Sequence, residues 1–228
     1  MTLGILLFLL VAALDWAAVA RGWKRVEYAA KPAALAVLLG LLILVGGFGS
    51  PALICFGLGL SFSLVGDVLL MVSYVRPSNR WFLAGLVSFL LAHLAYIVGL
   101  ITPLTGVSLF WVIGLGLILG LTASRLLRRI LAGVEEKRLY RLAAPVGIYG
   151  TVLTVMLLAA LLTLYRPDWQ KGAAALTGLG AILFYASDVV LAWDKFIAPL
   201  RKARLANIIP YHLGQLALVV GILLQFAG

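Results

Sequence analysis

Charge is scarce in this chain: 11% of its 228 residues are Asp, Glu, Lys or Arg, and 64% are hydrophobic. Soluble domains carry about 25% charged residues, so a water-exposed globular domain is excluded. Cysteine is nearly missing. The lone Cys55 cannot form an internal disulfide, so no oxidising compartment is implied and no thiolate metal cluster is available. The N-terminal MTLGILLFLL lacks both a basic leader and a small-residue cleavage site before polar sequence, and reads as a retained first helix. No nucleic-acid module is visible despite a net charge of +10, whose placement has to be read before a partner is inferred.

Apolar runs fill the space that charge leaves. A bilayer core of roughly 30 Å needs about 20 apolar residues at a helical rise of about 1.5 Å. Eight stretches reach that length: Thr2 to Ala20, Pro32 to Phe48, Pro51 to Val75, Trp81 to Ile101, Val107 to Leu127, Leu142 to Tyr165, Gly172 to Trp193, and Leu205 to Phe226. Gly49-Ser50-Pro51, Arg76-Pro77-Ser78-Asn79, Thr102-Pro103 and Arg166-Pro167-Asp168 interrupt them with turn formers. The expected fold is all-α: one integral-membrane domain over 1–228, built as a bundle of eight transmembrane helices.

Basic residues set the orientation. The odd-numbered loops hold four (Arg21, Lys24, Arg25, Lys31), two (Arg76, Arg80), six (Arg125, Arg128, Arg129, Lys137, Arg138, Arg141) and four (Lys195, Arg201, Lys202, Arg204), sixteen of the 18 in all. Only Arg166 and Lys171 lie on the other side. Cytoplasmic loops carry such an excess, so both termini are expected outside and the odd loops in the cytoplasm. The basic charge is then mainly a topology signal, with one or two residues left over for a lipid phosphate.

A repeat runs through the chain. Gly66-Asp67-Val68-Leu69-Leu70-Met71 matches Ser187-Asp188-Val189-Val190-Leu191-Ala192 at three of six positions. FLLAHLAYIVG from Phe89 matches YHLGQLALVVG from Tyr211 at five of eleven, setting His93 opposite Gln215. The expectation is a tandem 4+4 arrangement, repeats 1–105 and 106–228, related by an axis along the membrane normal. Asp67 and Asp188 would then face each other across that axis.

A charge at mid-span costs about 2.5–3.5 kcal/mol on insertion scales, which makes intramembrane acids functional candidates. Asp15, Asp67 and Asp188 lie within spans, as do His93 and His212. Asp67 and Asp188, without an evident counter-ion in their own segments, are the expected functional pair; Asp15 reads as a partner of Arg21 or Lys24. Asp67 shares a helical stripe with Ser63 and Tyr74, and Asp188 with Tyr185 and Lys195. Asn207, Tyr211 and Gln215 step by four, a polar seam that should face protein or water. Together these groups describe a polar chamber in the cytoplasmic half of the membrane.

The pieces Lys31-Pro32, GDVLLM (Gly66 to Met71), FLLAHLAY (Phe89 to Tyr96), SDVVLA (Ser187 to Ala192) with Lys195-Phe196, and YHLGQLAL (Tyr211 to Leu218) occur in that order along the chain. In this the sequence resembles the YhhN-like lysoplasmalogenase family. The resemblance implies a multi-pass inner (cell) membrane hydrolase that cleaves the vinyl ether of alkenyl glycerophosphoethanolamine or -choline, releasing a fatty aldehyde and a glycerophospho-base. It implies Asp67 and Asp188 as the catalytic pair and a lysophospholipid as the partner, among the lipids of the membrane.

Vinyl ethers yield to acid and resist base. A proton goes to the alkene carbon, an oxocarbenium ion forms, and water adds before the hemiacetal collapses. Two carboxyls in one poorly solvated site can supply an acid and an anion together. In this reading one of Asp67 and Asp188 donates the proton and the other steadies the cation; His93, Tyr211 and Gln215 position water or the glycerol hydroxyl; Lys31 and Lys195, at the cytoplasmic rim, take the lipid phosphate. No metal or cofactor is expected, since two histidines on separate helices are a poor ligand set.

Three rivals remain. A proton-coupled small-molecule transporter also uses intramembrane acids and parallel repeats, but the polar groups sit at one depth and line no through-path. An intramembrane aspartyl protease would need a first glycine where Leu64 stands and a tyrosine where Ser187 stands. A metal-dependent lipid hydrolase would show chelator-sensitive activity.

Overall fold

The structure, a computed structural model, describes residues 1–76, 78–103 and 106–227. Among these residues are eight long helices: α1 (Thr2–Arg21), α2 (Lys24–Gly46), α3 (Pro51–Val75), α4 (Asn79–Ile101), α5 (Leu109–Glu136), α6 (Tyr140–Leu162), α7 (Lys171–Ala192) and α8 (Ala203–Phe226). All eight are long and apolar enough to cross a membrane, and no strand occurs among the described residues. A single 3-10 turn, Thr163–Tyr165, follows α6, and a wider π-type turn, Trp193–Ile197, extends α7.

The turn chemistry works where the sequence is specific. Ser50 caps α3 by accepting from the Leu53 amide, with Pro51 in the first turn. Gly22 closes α1 in the left-handed conformation that glycine adopts without strain. The second span, however, begins at Lys24, and Pro32 lies inside it. Pro145 and Pro210 likewise lie inside α6 and α8. Proline forfeits a backbone hydrogen bond in a helix interior, but neighbouring helices make this tolerable in membranes. Lys31 is therefore a residue of a spanning helix, and only Gly22 and Trp23 separate α1 from α2. Each of the three prolines adjoins a residue of the pocket described below: Lys31, Val146 and Tyr211.

The closest packing joins α3 to α4 and α7 to α8. Small residues allow it: a Cβ on Gly180 would stand 2.7 Å from the Leu218 nitrogen, and one on Gly214 would stand 2.9 Å from the Gly180 oxygen. Interhelical contacts of this kind replace the hydrophobic drive that lipid removes. Helix α8 is the most buried, and α5 lies at the periphery with a broad apolar face outward. Changing Gly180 to Leu is expected to separate α7 from α8. Overpacking of this kind costs about 1–3 kcal/mol, read as a lower melting temperature in detergent.

At the end bearing the even-numbered loops, Arg166 is buried and donates to the carbonyls of Leu100, at 2.7 Å, and Pro103, besides pairing with Asp168 at 2.6 Å. One of the two basic residues at that end is thus part of the internal structure.

Candidate active site

At the end of the bundle bearing the odd-numbered loops, α2, α3, α4, α6, α7 and α8 enclose a pocket of about 630 Å³. Its polar lining is Lys31, Asp67, Tyr149, Asp188, Lys195, Asn207 and Tyr211; leucine, phenylalanine, valine and alanine side chains supply the rest.

Asp67 is 1% exposed, with the Lys31 Nζ 2.8 Å from Oδ1 and the Tyr211 hydroxyl donating to Oδ2 at 2.8 Å. Phe89 and Phe184 meet the Tyr211 ring edge-on and fix its direction. Phe89 also lies against Gly66, where a Cβ would meet its ring at 2.7 Å; the residue before Asp67 is small because the α4 ring occupies that space. Removing one member of a buried ion pair costs about 3–5 kcal/mol, so Lys31 and Asp67 form a unit.

Asp188 is held differently. Its Oδ2 accepts from the Tyr149 hydroxyl, and Tyr149 in turn meets His93 Nε2 at 3.0 Å; His93 stands 3.8 Å from the carboxylate itself. With Tyr149 donating to Asp188, its oxygen accepts the proton of Nε2. The Nδ1 atom of His93 is buried without a partner. Among the described residues no Lys or Arg lies within 4 Å of Asp188. Ser187 is locked to α8 through Asn207, which donates to its carbonyl and hydroxyl at 2.9 and 2.8 Å.

The pocket thus brings together five of the seven residues singled out from sequence: Asp67, Asp188, Lys31, Lys195 and Tyr211. His93 and Gln215 sit behind it. His93 supports Tyr149, and Gln215 accepts from the Tyr96 hydroxyl at 2.9 Å. Lys31, expected at the cytoplasmic rim, is the counter-ion of Asp67, so the acid does have one; the charge comes from another helix and is invisible in its own segment. Lys195 lies with its ammonium 4.2 Å above the Phe82 ring, and Lys137 donates to its carbonyl at 2.8 Å. Asp15, expected beside Arg21 or Lys24, pairs with neither: both its oxygens are buried without a partner. His212 accepts from the Trp16 indole at 3.1 Å, outside the pocket.

Tyr149 is the residue that sequence reasoning missed. A tyrosine in an apolar run reads as packing, and only the proximity of α6 to α7 reveals its bond to Asp188. Among the described residues, no three His, Cys, Asp or Glu side chains are grouped to hold a metal ion.

The fold and the pocket together define an eight-helix membrane protein with two carboxylates in one largely apolar pocket. The chain belongs to the YhhN family, whose profile matches residues 26–222. It is 33% identical over 162 residues to human lysoplasmalogenase TMEM86B, covering 71% of this chain and 60% of the relative. The rat lysoplasmalogenase TMEM86B is 32% identical over 171 residues, 72% of this chain and 59% of the relative. Bovine lysoplasmalogenase TMEM86A is 28% identical over 193 residues, 80% and 72% of the respective chains. The alignments with the human and rat proteins span about three fifths of those relatives' lengths. No solved structure matches the chain.

Proposed function

We propose that this protein is a lysoplasmalogenase, hydrolysing the vinyl ether of an alkenyl lysophospholipid to a fatty aldehyde and a glycerophospho-base. The observation that carries the proposal is the unequal pair in the pocket: Asp67 with a lysine and a phenol on it, Asp188 with phenol and imidazole but, among the described residues, no lysine or arginine within 4 Å. The names of the relatives support the reaction, and the unequal pair supports the mechanism proposed for it.

Asp188 is the proton donor in this mechanism. Its Oδ2 accepts from Tyr149, which leaves the acid proton to Oδ1 and the pocket. Delivery of that proton to the alkene carbon distal to the ether oxygen leaves an oxocarbenium ion between two carboxylates. Asp67, ion-paired with Lys31 and bonded by Tyr211, stabilises the ion electrostatically. Water adds to the cationic carbon and returns a proton to Asp188. The hemiacetal then breaks its bond to the glycerol oxygen, giving aldehyde and alcohol with one water consumed. His93 and Gln215 act through Tyr149 and through Tyr96, as positioning residues. Lys195 is left free at the pocket wall to meet the phosphate.

For the alkenyl chain, the route proposed is a series of adjoining, largely apolar cavities. A cavity of about 430 Å³ between α5, α6 and α7 shares Val146, Tyr149, Asp188 and Ala192 with the pocket. It shares Ala123, Leu127, Gly150 and Thr154 with a groove of about 620 Å³ on the outer face of α5 and α6. A Cβ on Gly120, in that groove, would meet nothing within 4 Å. Gly120→Leu is therefore expected to fold normally and to slow cleavage of long-chain substrates while sparing short-chain ones, read as the chain-length profile of aldehyde release.

The same reading places the pocket toward the cytoplasm, because the loops at its end carry the basic excess. It also treats the protein as one domain of two four-helix halves. The matched pairing of α3 with α4 and α7 with α8, and of α2 with α8 and α4 with α6, supports the repeat.

The experiment that tests the function presents purified protein in lipid vesicles with alkenyl and acyl lysophospholipids of one head group. Aldehyde release from the first, without fatty-acid release from the second, is the expected result. Fatty acid from the acyl lipid at a comparable rate would replace the proposal with an esterase.

A further inference from the structure

Beside the pocket lies a second cavity, of about 510 Å³, whose charged lining the mechanism does not use. Lys31, Leu191 and Asn207 line both cavities, so the two adjoin and only these side chains stand between Asp67 and the second cavity. Its acids are Asp15, Glu27 and Asp194, and its cations are Lys31 and Arg204.

The cations are already committed. Lys31 pairs with Asp67 at 2.8 Å, and Arg204 pairs with Glu27, which Lys24 also approaches at 3.5 Å. Asp194 accepts from the Leu200 amide at 2.8 Å, which leaves its charge unopposed by any lysine or arginine within 4 Å among the described residues. Asp15 is the decisive group. It is 0% exposed, lines the cavity, and neither of its oxygens has a hydrogen-bond partner. A carboxylate so buried is costly unless something pairs with it. The ring of Tyr74 lines the same cavity and already carries the Arg204 guanidinium 5.7 Å from its centroid, which leaves Asp15 as the group without a partner.

We infer that this cavity is the head-group subsite, and that Asp15 pairs there with the ammonium of an ethanolamine or choline group. The inference rests on the lysophospholipid reading above and adds to it the part of the substrate that sets head-group choice. The phosphate then stays on the pocket side, with Lys195, the ester to the head group passes between Lys31 and Asn207, and the amine reaches Asp15, both of whose oxygens lack a partner. A head group ending in phosphate alone places a second negative charge beside Asp15 and is rejected.

Calorimetric binding of glycerophosphoethanolamine, glycerol 3-phosphate and free ethanolamine to the detergent-solubilised full chain tests this without any turnover. The wild type is expected to bind glycerophosphoethanolamine at least about tenfold more tightly than glycerol 3-phosphate. Asp15→Asn is expected to abolish that preference by weakening the amine ligand alone. Equal binding of the two ligands by the wild type, or binding of neither, overturns the inference even if Asp15→Asn does not fold. A preference that survives in folded Asp15→Asn overturns it as well. Tight binding of free ethanolamine with no gain from the phosphate would reduce the cavity to a small-cation site and contradict its place in the lipid's path. Failure of the protein to cleave any vinyl ether overturns the reaction and leaves these binding results standing on their own.

Discussion

Asp188→Asn is expected to lower kcat by about 10²–10⁴, the range that a positioned general acid supplies, with KM little changed. Asparagine keeps a carbonyl oxygen to accept from Tyr149, so the packing of α6 against α7 survives. It cannot deliver a proton to carbon. The loss therefore falls on the chemical step, and the melting temperature in detergent should stay close to that of the wild type. Steady-state aldehyde release and a thermal melt on the same preparation check both halves of this expectation. Turnover within a few-fold of wild type would remove Asp188 from the mechanism.

Lys31→Met carries the second large effect, and it acts on both fold and rate. The lysine is the counter-ion of a carboxylate that is 1% exposed. Taking it away leaves Asp67 charged and unpaired, a loss of about 3–5 kcal/mol, unless the acid takes up a proton. Protonation would rescue the fold and forfeit the anion that steadies the oxocarbenium ion, so kcat falls in either case. The double change Lys31→Met with Asp67→Asn separates the two contributions. Removing both charges should recover most of the stability lost in Lys31→Met and none of the activity, a non-additivity expected of residues in contact. Full additivity of the stability losses would mean that the pair is not a unit.

The sequence made some of this plain and hid the rest for identifiable reasons. Eight spans follow from apolar length alone, because the bilayer demands it. Asp67 and Asp188 stand out because a carboxylate inside a span is too costly to be incidental. The role of Lys31 was concealed by Pro32: proline usually marks a helix start, so the lysine looked like a loop residue, and only the tertiary structure extends α2 back to Lys24. Tyr149 left no signal, since its partner lies 39 positions away on another helix. Asp15 was misread for the complementary reason. Basic residues nearby in sequence suggested a partner, but on the folded helices Arg21 lies over the Trp23 ring and Lys24 turns to Glu27. Pairings between helices, which decide what each acid is, do not appear in the periodicity of any one of them.

In the proposed mechanism cleavage begins with a proton delivered to the alkenyl carbon and breaks the bond on the alkenyl side of the ether oxygen. Turnover of an alkenyl lysophospholipid by the wild type in heavy water enriched in ¹⁸O, with the products trapped at once and weighed by mass spectrometry, tests it most directly. The predicted result is one carbon-bound deuteron at C2 of the aldehyde and no ¹⁸O in the glycerophospho-base. An aldehyde without that deuteron, or ¹⁸O in the glycerol hydroxyl, would contradict it.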